Sequence, residues 1–294
     1  MNTMADVISL DSFRTAQRRG KPTPGTTLAF TGGKGGVGKS FVAANAAVWM
    51  AKHQMRTLTV DGDFSMADLN LLFGLAPERS ILDVLRGAPV SEVLESAHGV
   101  DLLPGLNGNS MLANLDAAQA ASIYVEIESI RDHYDATVID APAGLSDVGI
   151  EMCALATHVV LVLSPEPTSL ADAYACLKAL TARVGLDRAF VVVNRSDSES
   201  DAKDAFARLE ALVSRFLGVE LCELPYIPTD PRASTACALG SPAILQYPDA
   251  PSSRALSSML SAVVEMSPST FNHDAFVVPS PDDFVRTASL EDVR

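Results

Sequence analysis

Eight residues restrict this chain more than any other feature. Gly33-Lys34-Gly35-Gly36-Val37-Gly38-Lys39-Ser40 follow a short apolar run, Thr27-Leu28-Ala29-Phe30, and lead into an alanine- and valine-rich stretch that carries Trp49. This is the spacing G-x-x-x-x-G-K-S, set between a strand and a helix. Such a loop turns successive backbone N–H groups inward at the positive end of a helix and so cradles phosphate oxygens. Gly33, Gly35, Gly36, Val37 and Gly38 form the expected cradle. Lys39 is expected to reach the β- and γ-phosphates of a nucleotide, and the Ser40 hydroxyl to ligate magnesium. ATP and Mg2+ are therefore the expected ligands.

The pattern around the loop repeats along the chain. Apolar strands are expected at Thr57–Val60, Val100–Leu103, Ala136–Ile139, His158–Leu163 and Ala189–Val193, with a shorter one near Val219–Glu223. Helices are expected between them, at Ser40–Lys52, 116–133, 169–183, 201–217 and 252–265. Continuous apolar strands alternating with helices specify an α/β fold: a single doubly wound, mostly parallel sheet with helices on both faces. The expected organisation is an arm over residues 1–26, one nucleotide-binding domain over 27–266 and an acidic tail over 267–294. A short helix around Ile8–Gln17 is expected in the arm.

Ligands of such sheets lie beyond the carboxyl ends of the strands, and polar residues occupy those positions. Val60-Asp61-Gly62-Asp63 ends one strand, Ile139-Asp140-Ala141-Pro142-Ala143-Gly144 another, and Val193-Asn194-Arg195 a third. The Asp140 segment has the form of a magnesium-holding strand end followed by a switch loop. The backbone N–H of Gly144 is placed to sense a terminal phosphate. Asp61 is a candidate for the magnesium shell, its alternative being a helix cap.

The early lysine narrows the class. Gly-Lys-Gly-Gly-Val-Gly-Lys-Ser resembles the deviant Walker A loop of the MinD/ParA family of ATPases. That resemblance implies a homodimer with ATP, in which Lys34 reaches the nucleotide of the facing subunit. It gives Asp63 the role of positioning the attacking water. Asn194 falls where the family reads the adenine edge, and Pro225-Tyr226-Ile227-Pro228-Thr229-Asp230 where it closes over the base, with Pro228 and Asp230 as candidate contacts. Lys34, Lys39 and Asp63 are the candidate catalytic residues; Ser40, Asp61 and Asp140 are the candidate metal residues.

Further segments are similar to the flagellar-number regulators of the FlhG or FleN type. They are Leu102-Leu103-Pro104-Gly105, Leu112-Ala113-Asn114-Leu115 and Ser164-Pro165-Glu166-Pro167-Thr168-Ser169-Leu170-Ala171-Asp172-Ala173-Tyr174. The resemblance implies partners such as a flagellar-assembly GTPase, a flagellar switch component or a transcriptional regulator. It departs at the N-terminus, where Leu10-Asp11-Ser12-Phe13-Arg14 replaces the branch's usual activator motif, so stimulation of the GTPase partner stays open.

Composition limits the alternatives. A formal net charge of -14 repels polyanions, so no bulk nucleic-acid binding is expected and a DNA-borne cargo positioner is disfavoured. No tyrosine follows Tyr247, which argues against a tyrosine autokinase with a tyrosine-rich tail. Cys153, Cys176, Cys222 and Cys237 form no C-x-x-C pair, so an iron–sulfur carrier would need a cluster shared between subunits. A non-enzymatic module is disfavoured by retention of Lys34, Lys39, Asp63 and Asp140. Leu256, Met259, Leu260, Val263 and Val264 share one helical face. Docking of that face on the sheet is the preferred reading, because only Arg254 and Glu265 flank it, whereas membrane-surface helices carry a basic face. The expected location is the cytoplasm, with peripheral contact at the inner face of the membrane as the lesser alternative.

Overall fold

The computed structural model describes residues 25–63, 67–105, 117–144 and 146–269. The expected arm helix, most of the acidic tail and Leu112-Ala113-Asn114-Leu115 lie outside the described residues.

In chain order the elements are β1 (Thr26–Thr31), α1 (Lys39–Lys52), β2 (Thr57–Asp61), α2 (Leu69–Leu72) and α3 (Ile81–Leu85). Next come β3 (Glu95–Ala97), β4 (Val100–Leu103), α4 (Ala117–Arg131), β5 (Ala136–Asp140), α5 (Asp147–Ala154) and β6 (His158–Leu163). The chain continues through α6 (Pro167–Val184), β7 (Arg188–Ser196), α7 (Glu199–Phe216), β8 (Glu220–Glu223) and β9 (Ile227–Pro228). It closes with α8 (Pro231–Ala238), α9 (Ala243–Gln246) and α10 (Pro251–Glu265).

The strands lie in the order β3-β4-β2-β5-β1-β6-β7-β8, with β9 beside β7. Every pairing is parallel except β3 with β4. The antiparallel strand Glu95–Ala97 escapes the sequence pattern because it is three residues long and half exposed, with no apolar run to announce it.

The central strands β1, β2, β5, β6 and β7 are buried on both faces, and alternation assigns their side chains to two cores. Leu28 and Phe30 of β1 join Val138, Val160, Val162 and Phe190 under α1 and α10. Ala29 turns the other way, to a core with Leu58, Ile139, Leu161 and Val191 that α4, α5, α6 and α7 cover. Helices therefore lie on both faces, as the alternating pattern requires. The connection from β1 runs to β2 on one side, whereas that from β5 crosses to β6 on the other. A crevice consequently opens at the carboxyl ends of the central strands.

The last helix settles the fate of its apolar stripe. Leu256, Met259, Leu260 and Val263 are fully buried against α1 and the sheet. Beyond it, the Ser269 N–H donates to the Thr157 carbonyl at 2.7 Å, and the Ser269 hydroxyl accepts from the Val159 N–H at 2.9 Å. The start of the segment expected as a tail is thus fastened to the sheet. None of the described helices is long and apolar enough to cross a membrane.

Because Leu260 is enclosed on all sides, Leu260→Ala should lower unfolding free energy by about 2–5 kcal/mol in chemical denaturation. A change below about 0.5 kcal/mol, the size usual for surface sites, would mean that the face is open to solvent.

Candidate nucleotide and cation site

The crevice is built by three strand ends and one helix start. β1 delivers the glycine loop, and α1 starts directly from it at Lys39, with Gly38 as the preceding cap residue at φ 94. That positive φ favours glycine. A side chain at Gly38 would also collide with the Asn194 amide. Gly33 is required for a different reason: a Cβ there would strike the backbone carbonyl of Asp172, so the loop lies directly on α6. α1 thus begins at the glycine loop, and a helix start carries positive partial charge.

Asp140 ends β5 one layer below the loop. It is 1% exposed, and neither carboxylate oxygen has a geometrically sound hydrogen bond among the described residues. Burial raises its pKa to about 7, while the Ser40 hydroxyl and the Lys39 ammonium pull it back. Asp61 ends β2 in direct register with Asp140. It is as deeply buried, and burial together with the Asp140 charge pushes its pKa well up. Its oxygens are engaged, one by the Asp63 N–H at 3.3 Å and the other by the Leu69 N–H at 3.1 Å. Asp61 therefore shapes the loop that carries Asp63, whereas Asp140 retains open coordination.

A buried carboxylate with unmet acceptors, a nearby hydroxyl and a buried lysine is the chemistry that a hydrated divalent cation satisfies. The residues present thus fit Mg2+, with Ser40 and Asp140 as the side chains able to hold it and Asp61 behind them. The Gly144 N–H, at the start of the next loop, donates to the Gly32 carbonyl at 3.2 Å.

At the end of β7, Asn194 is 2% exposed and its amide donates to the Val37 carbonyl at 2.8 Å. It ties the glycine loop to the end of β7. Asp230 is placed differently from the sequence expectation. Its carboxylate accepts the Arg232 N–H at 2.9 Å, the Ser252 N–H at 3.1 Å and the Ser252 hydroxyl at 2.8 Å. The side chain caps α8 and ties it to α10, so the Asp230 carboxylate is already engaged within the fold. Pro228 lies alongside, on β9, in register with Ser196.

Two participants escaped the sequence reading. Arg195 adopts φ 57 and donates to the Gly36 carbonyl at 2.9 Å, gripping the outer arm of the loop. Glu166 lies 3.5 Å from the Lys34 ammonium, which also donates to the Thr168 hydroxyl at 3.3 Å. A cleft of about 400 Å3 lies beside the loop, lined among others by Lys34, Gly36, Glu166, Arg195, Asp197 and Asp201.

The cysteines are dispersed. Cys153 and Cys176 are buried, Cys222 and Cys237 half-buried. Among the described residues no group of three or more His, Cys, Asp or Glu side chains gathers around one point.

The raised Asp140 pKa carries a pH signature. Between about pH 4 and 7 the unfolded chain, with an ordinary carboxyl, binds fewer protons than the folded one, so metal-free stability falls as pH rises. The slope contributed is at most roughly 1.4 kcal/mol per pH unit. Asp140→Asn removes this loss. In thermal unfolding without metal, the variant's advantage over the parent should widen from pH 5 to pH 7.5. A gap that stays flat over that range would contradict a protonatable buried Asp140.

Comparison with known proteins places this geometry. The ParA family profile, described as NUBPL iron-transfer P-loop NTPase, matches residues 25–264. The antiactivator FleN of Pseudomonas aeruginosa is 35% identical over 216 residues, covering 73% of this chain and 77% of FleN. The flagellum site-determining protein YlxH of Helicobacter pylori is 32% identical over 184 residues, 62% of each chain. Among solved structures, the septum site-determining protein MinD complexed with Mg-ADP from Pyrococcus horikoshii superposes with a TM-score of 0.66 at 24% identity. It covers 81% of this chain and 95% of that one. A chain of the MinC:MinD cell division protein complex of Aquifex aeolicus gives 0.66 at 25% identity, covering 82% of this chain and 96% of that one. With the glycine loop, the two strand-end carboxylates and the sheet order all in place, the chain belongs to the ParA/MinD family of P-loop NTPases.

Proposed function

We propose that this protein is an ATP-dependent dimerising switch, an ATPase that regulates flagellar number or placement through partner proteins. The observation that carries the chemical half is the buried, unmet carboxylate of Asp140 beneath a phosphate-cradling loop. The biological half rests on similarity to the antiactivator FleN and to YlxH.

The residues divide the work by position. Backbone N–H groups from Gly33 to Ser40 and the Lys39 ammonium bind the phosphates. Ser40 and Asp140 would hold magnesium, with Asp61 fixing the adjoining loop; the cation would supply positive charge to the terminal phosphates. Asp63, at the rim of the crevice, orients the attacking water. Gly144 N–H exchanges its bond to Gly32 for the terminal phosphate, so the switch loop moves when that phosphate leaves. Lys34 from a second copy supplies positive charge to the phosphoryl oxygens as it transfers. Asn194 and the backbone around Pro228 and Asp230 face the base.

Partners of the ATP-bound form are a flagellar-assembly GTPase, a flagellar switch component or a transcriptional regulator. The septum-site likeness favours a second reading, an ATPase that positions another cargo or the division machinery. The acidic balance of -14 counts against travel on DNA in either case. Affinity capture with the Asp63→Ala form and ATP separates the two readings by the partner retained.

The cycle makes a direct expectation. Asp63→Ala should accumulate as an ATP-bound dimer in sedimentation, and Lys34→Ala should lose at least about 10-fold in turnover, as expected when a transition-state charge is removed. An Asp63→Ala chain that stays monomeric at saturating ATP would refute the cycle.

A further inference from the structure

The segment Ser164–Tyr174 carries part of the resemblance to flagellar-number regulators, and the structure puts its Glu166 and Thr168 against Lys34. Glu166 is the cap residue of α6, Pro167 its first residue and Thr168 its second. The turn is rigid, because the buried Ser169 hydroxyl accepts the Ser164 N–H at 3.0 Å. The loop is fixed as well, since Gly33 lies on the α6 backbone at Asp172. Lys34 is therefore presented over the first turn of an 18-residue helix.

That is an unfavourable place for a cation, since the helix N-terminus carries positive partial charge. What offsets it is the Glu166 carboxylate at 3.5 Å and the Thr168 hydroxyl at 3.3 Å. Neither the glutamate nor the lysine is enclosed, with side-chain exposures of 67% and 43%. The Glu166 side chain makes no capping bond to α6, so its contact with Lys34 is not a by-product of capping. Around the same cleft, Asp197 and Asp201 add negative charge and Arg195 positive charge.

We propose that Glu166 and Thr168 form a latch that holds Lys34 on its own subunit until nucleotide-dependent pairing draws it across. Glu166 is thus a positioning residue that sets the threshold for dimerisation. The inference rests on the switch reading above, in which Lys34 acts on a second copy. An exposed ion pair is weak and screened by salt, which suits a contact that must break in every cycle.

The test measures the dimer dissociation constant of the full chain by sedimentation, with magnesium and a non-hydrolysable ATP analogue. The forms compared are the parent, Glu166→Gln and Thr168→Val, at low salt and at about 0.5 M salt. Removing the latch should tighten the dimer about two- to five-fold in Glu166→Gln at low salt, a gap that closes at high salt. Thr168→Val should shift it the same way, by less. An unchanged or weaker dimer in Glu166→Gln overturns the latch while the switch stands. Failure of the parent itself to dimerise with the analogue bound overturns the switch reading, and the latch with it.

Discussion

Two carboxylates buried side by side at neighbouring strand ends are the constraint around which this protein is organised. Asp61 and Asp140 are in register on β2 and β5, both essentially sealed from water. Burying charge without compensation is costly, and a chain can answer by protonation, by hydrogen bonds or by a cation. Here the answers are divided. Both carboxyls are raised in pKa, but Asp61 accepts N–H groups from the loop it organises, whereas Asp140 has no such partner among the described residues. The second carboxylate is the one that a magnesium-bound nucleotide would complete, so stability and ligand binding are coupled through the same atoms.

The fold exists to hold that arrangement. β1 lies between β5 and β6, so the glycine loop necessarily sits beside the end of Asp140's strand. α1 packs across the sheet through Val42, Ala46 and Met50, which fixes the direction of its first turn toward the crevice. Asn45 extends the support outward: its amide donates to the Phe41 carbonyl, and its own carbonyl accepts the Ile244 N–H at 2.9 Å. The last helix completes this layer, and its apolar face would have to leave the core before it could meet a membrane. Around the rim the restraints are of another kind. Lys34, Gly36 and Gly144 make polar contacts to Glu166 and Thr168, to Arg195 and to Gly32 respectively, which can exchange without disturbing the cores.

Much of this was legible in the sequence because burial on both faces produces continuous apolar strands. Val100–Leu103 and His158–Leu163 were read to the residue, and the five expected helices came within a few residues of α1, α4, α6, α7 and α10, whereas α2, α3, α5, α8 and α9 were not expected. The glycine loop was legible because its spacing has one mechanical purpose. Short elements were not: Glu95–Ala97 has too little burial, and Ile227–Pro228 is only two residues long. Asp230 looked like a base contact although Asp230-Pro231 is itself a helix-start signal, a cap followed by proline at the first position. Arg195 and Glu166 were hidden for a deeper reason. Their roles come from a left-handed backbone and from a contact across more than a hundred residues of sequence, neither of which leaves a local pattern.

The central claim is that Asp140 completes a site for magnesium and nucleotide, giving up its proton as it does so. Titration calorimetry of preformed Mg·ATP into the chain near pH 7, in buffers of differing ionisation enthalpy, tests it most directly. The account predicts saturable heat that varies with the buffer, corresponding to net proton release, and loss of that release in Asp140→Asn. A folded sample that shows no saturable heat, or a proton balance identical in the parent and in Asp140→Asn, would contradict it.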